Sequence, residues 1–104
     1  MLATRIPHFL RAAMVAVALL VAACQTAPVQ EMSDARQAIS AARDAGAEQH
    51  EASLLQAAVG HLQSAERWLN ERKFSQARLD AVSAKNNALD ALRVTESSKN
   101  TDPD

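Results

Sequence analysis

A long proline-free, alanine-rich stretch is the feature that most restricts how this chain folds. No proline occurs between Pro28 and Pro103, and the strong helix formers Ala, Leu, Arg, Gln and Glu dominate that stretch. Tyrosine is absent, threonine is rare, and no segment alternates apolar and polar residues with a period of two. The composition therefore predicts an all-α fold.

Apolar residues in this stretch recur every three or four positions, which is the spacing of one helix face. We therefore expect three consecutive amphipathic helices, arranged as a small antiparallel helical hairpin or a three-helix bundle. The three apolar stripes are Met32, Ala35, Ile39 and Ala42, then Leu55, Ala58, Leu62, Ala65 and Leu69, then Phe74, Ala77, Ala81, Ala84, Ala88 and Ala91.

Residues that end or begin helices separate these three segments. Gly46 is expected to end the first helix, because glycine adopts the left-handed conformation at low cost. The charged turn 70–73 contains no apolar residue and separates the second helix, about 51–71, from the third. Ser33 and Ser75 are the expected N-caps of the first and third helices.

The N-terminal residues differ in composition from the rest of the chain. The first eleven residues carry basic Arg5 and Arg11 and no acidic residue, and the run 12–23 is entirely apolar. Twelve apolar residues are fewer than the roughly 20 that a membrane-spanning helix needs. A basic start, a short apolar run and small residues before a polar segment are typical of a cleaved secretory signal.

The end of that run, Val21-Ala22-Ala23-Cys24, resembles the lipobox of bacterial lipoproteins, and Cys24 is the only cysteine in the chain. The resemblance implies cleavage between Ala23 and Cys24, a diacylglycerol on the Cys24 sulfur and an N-linked acyl chain. Several acyl chains make membrane anchoring stable where one chain is marginal. Because Gln25, and not aspartate, follows the cysteine, the resemblance also implies anchoring in the outer membrane, facing the periplasm.

These observations divide the chain into four expected parts. They are a signal peptide at 1–23, a lipidated cysteine with a polar tether at 24–31, an Ala-rich helical domain at 32–94 and a disordered tail at 95–104. The tail has no large apolar residue to bury. Eleven basic residues, two of them within the signal, stand against twelve acidic residues, so no basic excess points to nucleic acid.

The segments ARQAISAARDAGA (35–47) and HLQSAERWLNERKFSQARLDAVSAKNNALDAL (61–92) carry a second resemblance. They are similar to an Ala-rich helical domain of unknown function in bacterial envelope lipoproteins, family 4398. The shared pattern is an Ala-x-x-Ala helix that ends at Ala-Gly-Ala, followed by a helical hairpin with an aromatic residue after its turn. The hairpin also resembles one tetratricopeptide helix pair. The resemblance implies an envelope location and a helical fold, and no particular activity.

Few residues form a pattern that points to catalysis or metal binding. His50 and His61 are eleven positions apart, about 16 Å along a helix, which is too far to share one metal ion. No His-Glu-x-x-His or Gly-x-Ser-x-Gly motif occurs. We therefore expect no enzyme activity, no catalytic residue, no metal, no cofactor other than the lipid on Cys24, and no small-molecule substrate. Acidic residues such as Glu66 and Asp80 are expected to form solvated pairs within their own helices.

Trp68 and Phe74 flank the turn 70–73, and they are the aromatic residues of the expected mature chain. Trp68 either completes the core beside the turn, which we favour, or projects from it as an anchor for a partner. Phe74 is the other possible partner contact.

Alanine-lined helix faces bury little area, so we expect them to be under-filled in a monomer. The first and second helices could cover the row from Ala77 to Ala91, with Leu79, Val82 and Leu89 beside it, in a three-helix bundle. If the first helix docks only weakly, an envelope protein of unknown identity or a second copy of the chain could take its place. The expected function is that of a lipid-anchored, non-catalytic helical interaction or scaffold module in the cell envelope. The alternative is a self-assembling coiled-coil lipoprotein that links the membrane to the cell wall.

Overall fold

The computed structural model describes residues 7–23 and 26–101. No strand occurs within these ranges, and the expected all-α fold is confirmed. The helices are α1 (His8–Ala23), α2 (Val29–Ala45), α3 (Ala47–His50), α4 (Ala52–Asn70) and α5 (Phe74–Thr101).

Helices α2, α4 and α5 form a three-helix arrangement with α5 at its centre. α5 packs along both α2 and α4, whereas α2 and α4 touch each other over a smaller region. Met32, Ala65 and Ala81 form one apolar cluster, which joins the start of α2 to the end of α4 and the start of α5. Ala42 and Leu55 belong to the second cluster, at the opposite end. The chain therefore runs up, down and up, with α2 parallel to α5.

Alanine dominates the core of this bundle. Small side chains let helix axes approach closely, near the low end of the usual range of about 8–10 Å. α2 and α4 together cover the alanine row of α5 completely, so the prediction that this row is under-filled in the monomer was wrong. The fully buried alanines are Ala35, Ala42, Ala47, Ala58, Ala65, Ala77, Ala81, Ala84, Ala88 and Ala91.

α2 begins earlier than the sequence pattern indicated. Its first residue is Val29, and Ser33 lies inside the helix instead of capping it. Buried Pro28 precedes the first turn, a position that suits proline because its missing N–H needs no partner there. The expected tether 24–31 is therefore wrong in its last three residues, which are helical.

The connection between α2 and α4 contains the predicted glycine stop. Gly46 has a φ of 98°, and its N–H donates to the carbonyls of Ala42 and Arg43. The next residues form the short helix α3, which the sequence pattern treated only as a connection. α4 then agrees with the expected helix at about 51–71.

α5 extends well past the expected end of the helical domain. The segment expected as a disordered tail at 95–104 is helical as far as Thr101, so that prediction was wrong for 95–101. Thr95 lies four residues after Ala91, which continues the alanine row by one more step, and it is fully buried. Lys99 donates from its Nζ atom to the carbonyl of Ala45, the last residue of α2. The last three residues of the chain lie outside the described ranges.

α1 contacts none of the other four helices in the described part of the chain. Among the residues whose burial is described, the core of α2–α5 contains none from α1, so these four helices form a self-contained unit. With α1 included, the principal axes measure 84 × 27 × 18 Å, which is more elongated than a compact bundle. None of the helices in the described ranges is both long enough and apolar enough to cross a membrane.

Candidate functional site

The predicted lipid anchor lies at the edge of the described structure. Cys24 and Gln25 lie outside the described residues, and Ala23 is the last residue of α1. Lipidation of Cys24 and cleavage after Ala23 therefore stay predictions. The structure places the chain again from Thr26, so the site is built from the residues that follow the anchor.

Arg78 of α5 binds this following segment on both sides of Pro28. Its Nη2 atom donates to the carbonyl of Thr26 at 3.1 Å, and its Nε atom donates to Oε1 of Glu31 at 3.1 Å. Pro28 itself is buried, while Val29 is 71% exposed. The chain is thus held against α5 from Thr26 onward. Thr26 is the second residue after Cys24.

Trp68 lies near the end of α4, and its side chain is half-buried. Its indole N–H donates to Oδ2 of Asp80 at 2.9 Å, across the interface between α4 and α5. His61, two turns earlier in α4, places its Nδ1 atom 3.4 Å from the other oxygen of the same carboxylate. Trp68 therefore combines the two expected arrangements: its polar edge is fixed to α5, and part of its ring reaches solvent.

Two cations lie beside the Trp68 ring. The Nζ atom of Lys73 is 5.2 Å from the ring centroid, and the Cζ atom of Arg67 is 5.8 Å from it. Both distances are within the range of a cation–π interaction. Phe74, the other expected partner contact, is half-buried at the first residue of α5. The end of the hairpin thus combines an aromatic ring with a cluster of positive charge.

The turn between α4 and α5 has the hydrogen bonds of a Schellman motif. The Lys73 N–H donates to the Trp68 carbonyl at 2.9 Å, and the Arg72 N–H donates to the Leu69 carbonyl at 3.0 Å. Arg72 has a φ of 60° and is the only residue other than glycine with a positive φ in the described ranges. A side chain in this conformation costs roughly 1–2 kcal/mol, and glycine is the usual occupant.

Two acidic side chains, those of Glu66 and Asp80, bind partners in other helices instead of neighbours in their own. Glu66 of α4 pairs with Arg36 of α2, with 3.3 Å between Oε1 and Nη2. Asp80 of α5 binds Trp68 and His61, which both lie in α4. The expectation of pairs within one helix was therefore wrong for Glu66 and Asp80. Close packing of the alanine-lined helices explains this, because it brings the flanks of adjacent helices within reach of each other.

A groove of about 440 Å³ opens between α2 and α4 near the Gly46 end of the bundle. Gly60 lies in the groove, and a Cβ atom placed there would meet nothing within 4 Å. The ion pair between Arg43 and Glu48, at 3.2 Å, borders it. The lining residues are Arg43, Glu48, Ala52, Leu55, Gln56, Val59, Gly60 and Gln63.

The histidines are not brought together. His50 ends α3 and is exposed, whereas His61 contacts Asp80 on the flank of α4. Among residues 7–23 and 26–101, no three His, Cys, Asp or Glu side chains are placed to hold a metal ion.

Comparison with protein families, with curated proteins and with solved structures gives no match to this chain. The resemblances to bacterial lipoproteins and to the Ala-rich domain therefore stay predictions.

Arg78 is a site residue that the sequence pattern did not single out, and Asp80 was expected only as part of a solvated pair within its own helix. Asp80 lies three residues after Ala77 and four before Ala84, so it flanks the buried row of α5. Arg78 flanks the same row on the side of α2, as its bond to Glu31 requires. A charged residue next to a predicted buried row is therefore the sequence signal from which these contacts could have been predicted.

Proposed function

We propose that this protein is a lipid-anchored, non-catalytic cell-envelope protein whose α2–α5 bundle is an interaction or scaffold module. The anchor is the lipid on Cys24, in the outer membrane with the bundle facing the periplasm. Support comes from the basic start, the short apolar run and the small residues before Cys24. The observation that carries the proposal is the hydrogen bond from Arg78 to the Thr26 carbonyl, which fixes the bundle directly after the lipidation motif.

This contact distinguishes the protein from a domain on a long flexible linker. Two peptide links separate Cys24 from Thr26, and an extended chain spans at most about 7 Å over that distance. A bundle attached in this way lies at the membrane surface with one fixed end. A bundle with one fixed end can hold a bound partner protein at a defined distance from the lipid.

The groove between α2 and α4 is the surface that we assign to the partner. Its floor contains Leu55 and Val59, its rim is polar, and Gly60 lets a backbone approach closely. A groove with an apolar floor and a polar rim can accept the apolar face of an amphipathic helix. We therefore propose that the partner contributes one amphipathic helix of another envelope protein.

Self-assembly of the lipoprotein is the second candidate, and one observation favours it. Leu79, Val82 and Leu89 remain exposed on α5 although the alanine row beside them is buried. Sedimentation of the mature chain with Cys24→Ser distinguishes the candidates. The interaction module is expected to sediment as a monomer, whereas an assembled coiled coil forms oligomers at micromolar concentration.

Labelling with radioactive palmitate in a bacterial host tests the anchor. The wild-type chain should incorporate label and shorten by its signal peptide, whereas Cys24→Ala should remain unlabelled and at precursor length. Gln25→Asp is the matched control, since it should keep the label and move the protein to the inner membrane. A wild-type chain that takes up no label overturns the proposal.

A further inference from the structure

The turn between α4 and α5 is rich in basic side chains. Between positions 67 and 78 the chain has four basic residues and one acidic residue, although the whole chain has a formal net charge of −1. Arg78 is paired with Glu31, and Arg67, Arg72 and Lys73 have exposed side chains. The turn 67–73 therefore presents three exposed basic side chains and one exposed acidic side chain, that of Glu71.

The same end carries the half-buried aromatic ring and an exposed aliphatic side chain. Trp68 is flanked by Arg67 and Lys73, and Val29 is exposed in the first turn of α2. Tryptophan with basic neighbours is the combination found where proteins meet the headgroup region of a bilayer, because the ring is amphipathic and long basic side chains reach the phosphates.

Arg72 adds an independent observation. It occupies the left-handed position of the Schellman motif, where glycine would be less strained. The chain thus places a guanidinium at the outermost point of the hairpin despite a cost in backbone strain. Strain of this kind at an exposed position points to a role for the side chain beyond folding.

The position of the anchor identifies what this end faces. Thr26 is bound to Arg78 at the start of α5, and Met32 packs against Ala65 and Ala81 at the same end of the bundle. A lipid on Cys24 is two links from Thr26, so it holds this end, and not the Gly46 end, against the bilayer.

We propose that the turn end of the bundle, comprising Arg67, Trp68, Arg72, Lys73 and Val29, is a second membrane-binding site that recognises anionic phospholipid headgroups. This inference rests on the proposed lipid anchor for its orientation. The lipid attaches the bundle to the membrane, and the turn end orients it. The bundle then stands with the α4–α5 turn on the bilayer and with the α2–α4 groove, near the Gly46 end, on the aqueous side. Each cation near an anionic surface strengthens binding about fivefold.

Trp68 makes the proposal measurable, because it is the only tryptophan in the chain, and Cys24 is the only cysteine. The mature chain, residues 24–104, contains the whole self-contained unit α2–α5 and is coupled through Cys24 to a maleimide phospholipid in vesicles. Coupling in vitro makes the test independent of lipidation in cells, so failure here and failure of palmitate labelling are separate results. The vesicles carry bromine high on their acyl chains, which quenches only a tryptophan at the interface.

We expect strong Trp68 quenching in vesicles that contain phosphatidylglycerol, and weak quenching in phosphatidylcholine alone. Molar salt should abolish the difference, since it screens exposed charges. Arg72→Gly is the informative variant, because it relieves the strained backbone and so keeps the fold. Without coupling, it should partition about fivefold more weakly into the anionic vesicles. Arg93→Gly at the far end would break α5, so the matched control is Arg93→Gln, which removes the same charge and should not change partitioning.

Three results would overturn the proposal. The first is a coupled chain whose Trp68 is unquenched in both vesicle types, since the turn end then stands away from the bilayer. The second is equal, salt-independent quenching in both, since contact then does not involve headgroup charge. The third is equal weakening by Arg72→Gly and Arg93→Gln, since binding then follows net charge and not the turn end.

Discussion

The guanidinium of Arg78 donates to the backbone carbonyl of Thr26 at 3.1 Å, which joins the start of α5 to the second residue after Cys24. The same side chain binds Glu31, and Pro28 is buried between the two contacts. The N-terminal segment of the expected mature chain is therefore part of the bundle and not a free linker.

Replacing Arg78 with alanine should release this segment. Both of its contacts are partly exposed, so we expect a loss of up to about 1 kcal/mol in unfolding free energy. Hydrogen exchange should speed up at the amides of residues 29–32, with little change in α4. Arg93→Ala is the control, because Arg93 is exposed and forms its ion pair with Asp90 of its own helix. Unchanged exchange in Arg78→Ala would mean that the segment is held by Pro28 and Met32 alone.

Trp68 and Asp80 should be energetically coupled. Hydrogen bonds to charged groups contribute about 1.5–3 kcal/mol, and part of this is lost here to solvent, so we expect a coupling of about 1–2 kcal/mol. A double-mutant cycle of Trp68→Phe and Asp80→Ala, measured by urea unfolding, checks this value. Asp80→Asn keeps an acceptor oxygen and should retain more stability than Asp80→Ala. A coupling near zero would contradict the interhelical hydrogen bond.

Ala84 lies in the fully buried row of α5 and should not tolerate a larger side chain. Ala84→Glu places a carboxylate where no space or partner exists, and it should lower the unfolding free energy by about 3–5 kcal/mol. A loss of this size is enough to unfold a small bundle. Circular dichroism should show loss of helix. Asn86→Glu, on the exposed side of the same helix, is the control and should change stability by less than about 0.5 kcal/mol. A folded, helical Ala84→Glu protein would show that the bundle packs differently.

A feature of the fold can be predicted from the sequence when its physical cause lies within a short segment, and it is missed when the cause depends on how helices pack together. The alanine row of α5 and the stop at Gly46 were predicted because helix periodicity and left-handed glycine are properties of short segments. The start of α2 was misplaced because Ser33 is a good cap in isolation, whereas the bonds of Arg78 to Thr26 and Glu31 form only when this segment packs against α5. The contact between Trp68 and Asp80 was missed because it requires the rotation of two helices about their axes.

The burial of Thr95 explains why the prediction for the end of α5 was the least accurate. The polar sequence around it indicated disorder, yet Thr95 continues the buried row, and its hydroxyl has no hydrogen-bond partner in the described residues. Leaving a buried hydroxyl unpaired costs about 1–3 kcal/mol.

Thr95→Val should therefore stabilise the protein, because valine has the same shape and no polar group to bury. We expect a gain of about 1 kcal/mol and a melting temperature higher by several degrees. Removal of residues 94–104 should lower the melting temperature, whereas removal of residues 102–104 should not. A chain that melts at the same temperature without residues 94–104 would show that the end of α5 contributes nothing to the bundle.

The intact mass of the protein purified from bacterial envelopes tests the central claim most directly. We predict a chain that begins at Cys24 and carries the added mass of one diacylglycerol and one N-linked acyl chain. The same measurement on Cys24→Ala should give an unmodified precursor. A wild-type protein recovered with its N-terminal 23 residues intact, or without lipid on Cys24, would contradict the account.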